Sequence, residues 1–390
     1  MLLTQEECVQ ILKNLLNIAI EQLHLLDFQV ERDISAVGYL GDYYTLSLSY
    51  CTEDNKTPQQ QQLFVKALPE KSDEPEKETI FRKEAWLYDN LLTDMQKYSK
   101  SKWSAKCYFT RSDLLVLENI KHIGYSAAPK RLLDADQLHQ LLRSLAAFHA
   151  SSLVYEQRNN INIGHKFGDR LLEITIAPHI AWYTTGLSAI LAVIKSLPQY
   201  QTSQYVDGLD DQLAAIARRT YEQVAPSTKY RNVICHRDLW AGNIFFSADP
   251  TNAGLLIDFQ TSRYTPPAVD LSFSIYLNLA TMERRRLEAN CIDFYYNCLQ
   301  QNLQDFGLQS SELISKAELL QSYEEFRLLA AVYSAAVATV VKVPPAFVTN
   351  EFKYVDRSDI ILDYMRENEE FRACMVEYCV EIMEIASANL

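Results

Sequence analysis

One stretch constrains this chain more than any other: residues 233–258, VICHRDLWAGNIFFSADPTNAGLLID. Val233, Ile234 and Cys235 read as a short buried strand, and a polar loop covers residues 236–243. Ile244, Phe245 and Phe246 form a second apolar triplet, residues 247–254 supply turn-forming Ser, Asp, Pro, Asn and Gly, and Leu255, Leu256 and Ile257 return. The pattern predicts a hairpin. Antiparallel partners run back alongside each other, so Asn243 at the mouth and Asp258 at the exit are expected side by side. An amide oxygen and a carboxylate then share one end, with a second carboxylate, Asp238, just upstream. Oxygen ligands beside an open position suit magnesium carrying a phosphate.

The spacing H-R-D-L-x-x-x-N at residues 236–243 is the protein-kinase catalytic-loop signature, and Asp258-Phe259 opens the D-F-x metal element. In that signature the Asp is the base and the Asn holds metal. Asp238 is therefore the expected catalytic residue, and Asn243 and Asp258 are the expected metal ligands. The alternative is an ordinary hairpin with a polar loop, carrying these residue types at these offsets by coincidence.

Upstream, the period of the apolar residues changes several times. Residues 6–26 place Val9, Leu12, Leu15, Leu16, Ala19 and Leu23 at helical spacing, behind a capping box at residues 4–7. Residues 34–51 alternate polar and apolar around Gly38 and Gly41 and predict strand, turn and strand. Those glycines could admit backbone amides to a phosphate; a plain hairpin explains them equally well. After a Gln-rich connection at residues 52–62, residues 63–68 read as a strand containing Lys66. A strand lysine usually faces solvent. The following helix, residues 76–98, changes that expectation, because Glu84 falls within its apolar stripe of Ile80, Leu87, Tyr88, Leu91 and Met95. A carboxylate on a core-facing stripe needs a partner, and Lys66 is the nearest candidate in sequence. A strand lysine paired to a helix glutamate is the ion pair with which kinases hold the phosphates of ATP.

Residues 106–120 predict a further strand pair. The remainder reads as helical, at residues 132–151, in two or three aromatic-rich helices over residues 152–230, and at 271–304, 311–343 and 358–388. His149 ends a buried stripe and is expected to be a satisfied core histidine. Some of Tyr155, His165, Phe167, His179, Trp182 and Tyr183 could line an acceptor pocket, although core packing explains most of them as well.

Composition narrows the partners. A formal charge of −13 over 390 residues argues against nucleic acid or an anionic membrane, and Arg284, Arg285 and Arg286 read as the solvated face of a helix. Eight cysteines without a C-x-x-C pair indicate a reducing compartment. No leader pattern opens the chain, and the nearly apolar run at 328–341 is too short to span a bilayer. The expected location is cytoplasmic, with no obligate protein partner evident.

With Lys66, Glu84, the 236–243 loop and Asp258 in this order, the chain resembles the protein-kinase-like superfamily. More narrowly it resembles the ecdysteroid kinase-like (CHK kinase-like) family of insects, beside choline kinases and aminoglycoside phosphotransferases. The narrower resemblance rests on F-x-x-E-x-x-x-Y at 81–88, L-V-L-E-N at 115–119, L-A-x-F-H-A at 145–150, and H-x-D-x-W-x-x-N followed by I-D-F-Q, extended by Pro267 and Asp270-Leu271. It implies an α+β, bilobal protein-kinase-like fold. Residues 1–119 would form a small ATP-binding lobe with an antiparallel sheet and a helix, and residues 120–390 a large, mostly helical catalytic and substrate lobe. It further implies ATP and Mg2+ as cofactors, Lys66, Glu84, Gly38 and Gly41 around the phosphates, and the Glu118 carbonyl and Ile120 amide on the adenine edge. The implied reaction phosphorylates a hydroxyl of a small apolar molecule such as an ecdysteroid or related alcohol.

The chain departs from the family where Arg237 stands in place of a usual Gly, and where Tyr43-Tyr44-Thr45-Leu46 replaces Asn-Tyr-Ala-Ser. The second departure leaves open a pseudokinase that binds nucleotide or an apolar ligand without turnover. A protein kinase is disfavoured, since residues 261–268 are too short for an activation segment and peptide platform.

Overall fold

The computed structural model describes residues 2–33, 41–69, 75–202, 207–349 and 351–388. It is bilobal, beginning with helix α1 (Gln5–Leu16), whose capping box is formed by Thr4 and Glu7. Asn17, left-handed at φ 54°, closes the helix. Periodicity had carried it to residue 26, but Leu23–Arg32 is instead strand β1. The strand carries a bulge: register slips between Leu25 and Asp27, and the extra residue, Leu26, is exposed while Leu25, Phe28 and Val30 pack inward. Leu23, buried from β1, falls at helical spacing from Leu16 and Ala19 and so prolonged the apparent stripe.

β1 opens an antiparallel five-stranded sheet of order β1-β2-β3-β5-β4, with β2 Asp42–Thr52, β3 Gln59–Ala67, β4 Cys107–Arg111 and β5 Leu114–Glu118. The Gln-rich connection is shorter than expected because Gln59 to Gln62 already pair with β2. Alternation assigns the two faces of the sheet. Leu46, Leu48, Leu63, Val65, Leu114 and Val116 meet Cys8, Ile11 and Leu12 of α1 in a small core. On the opposite face Leu115 and Leu117 join a large core that includes Phe81, Leu87 and Leu91. Those three come from α2 (Pro75–Leu87) and a π-helical turn that prolongs it, Tyr88–Leu92.

The large lobe is led by α3 (Ala135–Asn159), longer than read from sequence and opened by an Asp134–Gln137 capping box. Helices α4 (Ala181–Ser196) and α5 (Leu209–Glu222) follow. Strand β7 (Val233–Cys235) pairs with β10 (Arg263–Thr265), while β6 (Tyr125–Ala127), β8 (Ile244–Ser247) and β9 (Leu255–Leu256) form a second small sheet. Helix α6 (Pro267–Asn278) is buried along its whole length. The single helix expected over 271–304 is two, because Leu279 and Ala280 are extended before α7 (Thr281–Gln304). The apolar run at 328–341 lies in α8 (Lys316–Val341), and the C-terminal helix is split at Asn368 into α9 (Ser358–Glu367) and α10 (Glu369–Ala388).

One charge assignment is corrected. Arg284 is not on a solvated face: it is 2% exposed, lies 3.7 Å from the centre of the Tyr276 ring, and makes a bidentate pair with Glu381 at 2.6 and 2.5 Å. Arg285 and Arg286 do face solvent. Among the described residues no helix is long and apolar enough to cross a membrane.

Candidate active site

The hairpin forms as its pattern predicts. Ile244 pairs with Leu256, and the Ile257 N–H donates to the Asn243 carbonyl at 3.0 Å, setting Asn243 beside Asp258. The loop before it is held at several points. Asp270, in the first turn of α6, accepts from the N–H of His236 at 2.5 Å and of Arg237 at 2.7 Å. His149 Nε2 reaches the same carboxylate at 3.2 Å while its Nδ1 meets the Tyr295 hydroxyl at 2.7 Å, so His149 is a satisfied core residue. His236 Nε2 contacts the Ile257 carbonyl at 2.8 Å, and Nδ1 accepts from the Asp238 N–H at 3.3 Å. This pattern requires the neutral ring, consistent with the burial that lowers the His236 pKa.

Lys66 joins the small lobe to this hairpin. Its ammonium donates to Glu84 Oε2 and to Asp258 Oδ1, both at 2.6 Å, and the other Glu84 oxygen accepts the Phe259 N–H at 3.1 Å. Burial works against the Lys66 charge, but Asp258 and Glu84 outweigh it and raise the pKa above its ordinary value. Burial also lifts Glu84, against the opposing pull of Lys66. The strand lysine does not face solvent; it is 5% exposed.

Asp238 completes the group. Asn243 Nδ2 donates to its Oδ2 at 3.0 Å and to its backbone carbonyl at 2.8 Å. The Tyr333 hydroxyl of α8 lies 3.5 Å from Oδ1. Burial, then the nearby Asp258 carboxylate, pushes the Asp238 pKa up to about 7. Tyr333 stacks on Phe273 at 4.5 Å and meets the edge of Trp182 at 5.9 Å.

Five of the residues expected from sequence, Lys66, Glu84, Asp238, Asn243 and Asp258, thus converge. Gly41 lies against the Lys66 stem, where a Cβ would be 3.2 Å from Lys66 Cγ. Gly38 lies outside the described residues. Glu118 ends β5 with its carboxylate on the Lys102 ammonium, and the Ile120 carbonyl accepts the Tyr125 N–H at 3.1 Å. Sequence reasoning missed Tyr333, whose signal was a polar aromatic inside an otherwise apolar run. It also missed the Gln260 amide, which donates to Asp258 Oδ2 at 3.2 Å. Two surface cavities, of about 540 Å³ beside Asn14 and Tyr108 and about 650 Å³ beside Leu197 and Met365, lie elsewhere.

Oxygen donors at Asp258 and Asn243, beside a second carboxylate whose proton affinity Asp258 raises, fit a hard divalent cation better than a soft one.

Among solved structures the chain is similar to a Plasmodium vivax ethanolamine kinase (14% identity, 87% of this chain and 83% of that chain covered, TM-score 0.41). It is also similar to the macrolide 2'-phosphotransferase MphH of Brachybacterium faecium (12%, 82% and 89%, 0.40) and to a microcompartment-associated aminopropanol kinase (14%, 92% and 98%, 0.41). No curated protein matches the chain in sequence. The profile of the ecdysteroid kinase-like family matches residues 35–308. The chain therefore belongs to the ecdysteroid kinase-like family.

Proposed function

We propose that this protein transfers the terminal phosphoryl group of ATP to a hydroxyl of a small apolar alcohol, an ecdysteroid or related steroid or xenobiotic. The observation that carries the reading is Lys66 bridging Glu84 and Asp258 at 2.6 Å each, in the same cleft as Asp238 and Asn243. Lys66, fixed by Glu84, neutralises the nucleotide phosphates. Gly41 lets the backbone pass close above them, and the linker from Glu118 to Ile120, between lobes 1–119 and 120–390, takes the adenine edge. Asn243 and Asp258 hold Mg2+, which when bound supplies charge stabilisation to the phosphates.

Asp238 orients the acceptor. Its Oδ2 accepts from Asn243 at 3.0 Å, whereas Oδ1 has the looser 3.5 Å contact with Tyr333; Oδ1 receives the hydroxyl proton as the alcohol oxygen bonds to the γ-phosphorus and the bond to the bridging oxygen breaks, ADP leaving with that electron pair. A carboxylate within reach of the acceptor hydroxyl is the general base this step needs. Trp182, Phe273 and Tyr333 support an apolar acceptor. Eight unpaired cysteines support a reducing, cytoplasmic setting, and the acidic net charge supports a small molecule as partner.

The test is ADP release from ATP and magnesium chloride over a panel of steroid and plant alcohols. An apolar alcohol is expected to turn over, and Asp238→Ala to lower kcat by about a thousandfold with nucleotide binding nearly intact. Normal turnover by Asp238→Ala on a confirmed acceptor would overturn the assignment. One observation favours a nucleotide sensor instead: Tyr43 stacks on Phe64 at 5.7 Å in the strand register opposite Lys66, crowding the phosphate side. That reading expects ATP to raise the melting temperature with no ADP released on any alcohol.

A further inference from the structure

Arg237 stands next to Asp238 and is left-handed at φ 73°. Its side chain turns inward, only 1% exposed, with the guanidinium 5.5 Å from the centre of the Phe273 ring. A buried guanidinium needs an acidic partner. Glu173 provides it from an irregular segment between α3 and α4: its Oε2 is 3.5 Å from Arg237 Nη1 and 3.5 Å from Arg263 Nε. Arg263 is delivered there by the β7–β10 pairing, which sets it opposite Cys235. The other Glu173 oxygen accepts the N–H groups of Thr175 and Ile176, each at 2.9 Å. Burial would raise the Glu173 pKa, but Arg237 and Arg263 more than offset it and hold the carboxylate ionised.

The same segment is tied to α2. Lys83, 6% exposed, donates to the Leu172 carbonyl at 2.8 Å, and Arg263 donates to the Leu171 carbonyl at 2.5 Å. Trp86 of α2 meets the edge of Phe167 at 5.3 Å. The strap 171–176 is thus anchored one residue from Glu84 on one side and one residue from Asp238 on the other.

We propose that Glu173 is a positioning residue for phosphoryl transfer: through Arg237 it fixes the loop bearing Asp238, and through the Leu172–Lys83 contact it fixes the α2 turn bearing Glu84. The inference rests on the function proposed above. The two halves of the site come from different lobes, and the strap is a physical link between them. Its loss is expected to disturb the relation between base and phosphates more than binding of either.

The test uses the full chain with Glu173→Gln, which keeps the side-chain shape and removes the charge, and with Lys83→Met and Lys83→Arg. Glu173→Gln is expected to lower kcat by about tenfold to a hundredfold with KM for ATP within about twofold. Lys83→Met is expected to give a smaller fall that Lys83→Arg largely restores. Amide hydrogen exchange, which needs no activity, is expected to quicken by about tenfold in residues 81–86 and 236–240 of Glu173→Gln. Unchanged kcat, or faster exchange confined to residues 171–176, would overturn the proposal. If the proposed reaction itself fails, the exchange pattern alone decides, and if Glu173→Gln does not fold, Lys83→Met is judged by the same two criteria.

Discussion

Two charge clusters flank the loop at 236–243, and adjacent residues of α2 feed both. In the first, Lys66 serves Glu84 and Asp258 with two 2.6 Å contacts. In the second, Glu173 serves Arg237 and Arg263 at 3.5 Å each, with Lys83 close by. The first has two carboxylates to one cation and one open member, Asp258, whose side chain is 26% exposed. The second sets two guanidinium groups and the Lys83 amine against one carboxylate and is sealed, Arg237 at 1% and Glu173 at 13%. An excess of negative charge at an open edge invites a cation from outside. An excess of positive charge behind a closed wall has no such outlet and holds backbone segments together instead. Electrostatics of similar composition can therefore serve ligand binding in one place and fixation in the other, with accessibility deciding which.

The comparison breaks most sharply at Asp258. Asp258→Ala is expected to remove the magnesium-dependent thermal stabilisation by ATP and to lower turnover by about a thousandfold, whereas no single change in the sealed cluster should abolish nucleotide binding. Titration of ATP with and without magnesium checks this. Next in size, Glu84→Gln is expected to raise KM for ATP by about tenfold, since it loosens Lys66, while Glu173→Gln acts on kcat. Should the two variants shift the same parameter, the division between clusters fails.

A double-mutant cycle sharpens the sealed side. Arg237→Gly relieves the left-handed backbone strain and leaves Glu173 still facing Arg263. Arg237→Gly and Glu173→Gln are therefore expected to be non-additive, with a coupling of about 1 kcal/mol or more in denaturant unfolding. The last test concerns pH. Burial, then Arg263, lowers the Lys83 pKa from 10.5 to about 7, with Arg237 adding to this and Glu173 opposing it. Between those values the unfolded chain binds the extra proton, so stability rises with pH across this window. Lys83→Met is expected to flatten that rise by up to about 1.4 kcal/mol per pH unit, measured against wild type from pH 7 to 10.

The open cluster was legible in the sequence and the sealed one was not. Glu84 announced itself as a carboxylate inside an apolar stripe, Lys66 was the nearest available cation, and the hairpin register brought Asn243 to Asp258. Each inference used local spacing. Arg237 was visible as an oddity, but Glu173 sits in a segment without periodicity, and Arg263 reaches it only through a strand pair that local pattern does not specify. Tyr333 and the Arg284–Glu381 pair were hidden for the same reason, their partners being set by helix packing over long separations. In β1 the obstacle was different: Leu23, buried from a strand, falls at helical spacing from the residues of α1.

Strand β5 has a consequence for how this chain can change in length. Leu114 and Val116 belong to one hydrophobic core and Leu115 and Leu117 to the other, so inserting or deleting a single amino acid there would turn each side chain toward the opposite core at once. Indels are expected to accumulate at the exposed turns on either side, leaving these four positions as a ruler of fixed length.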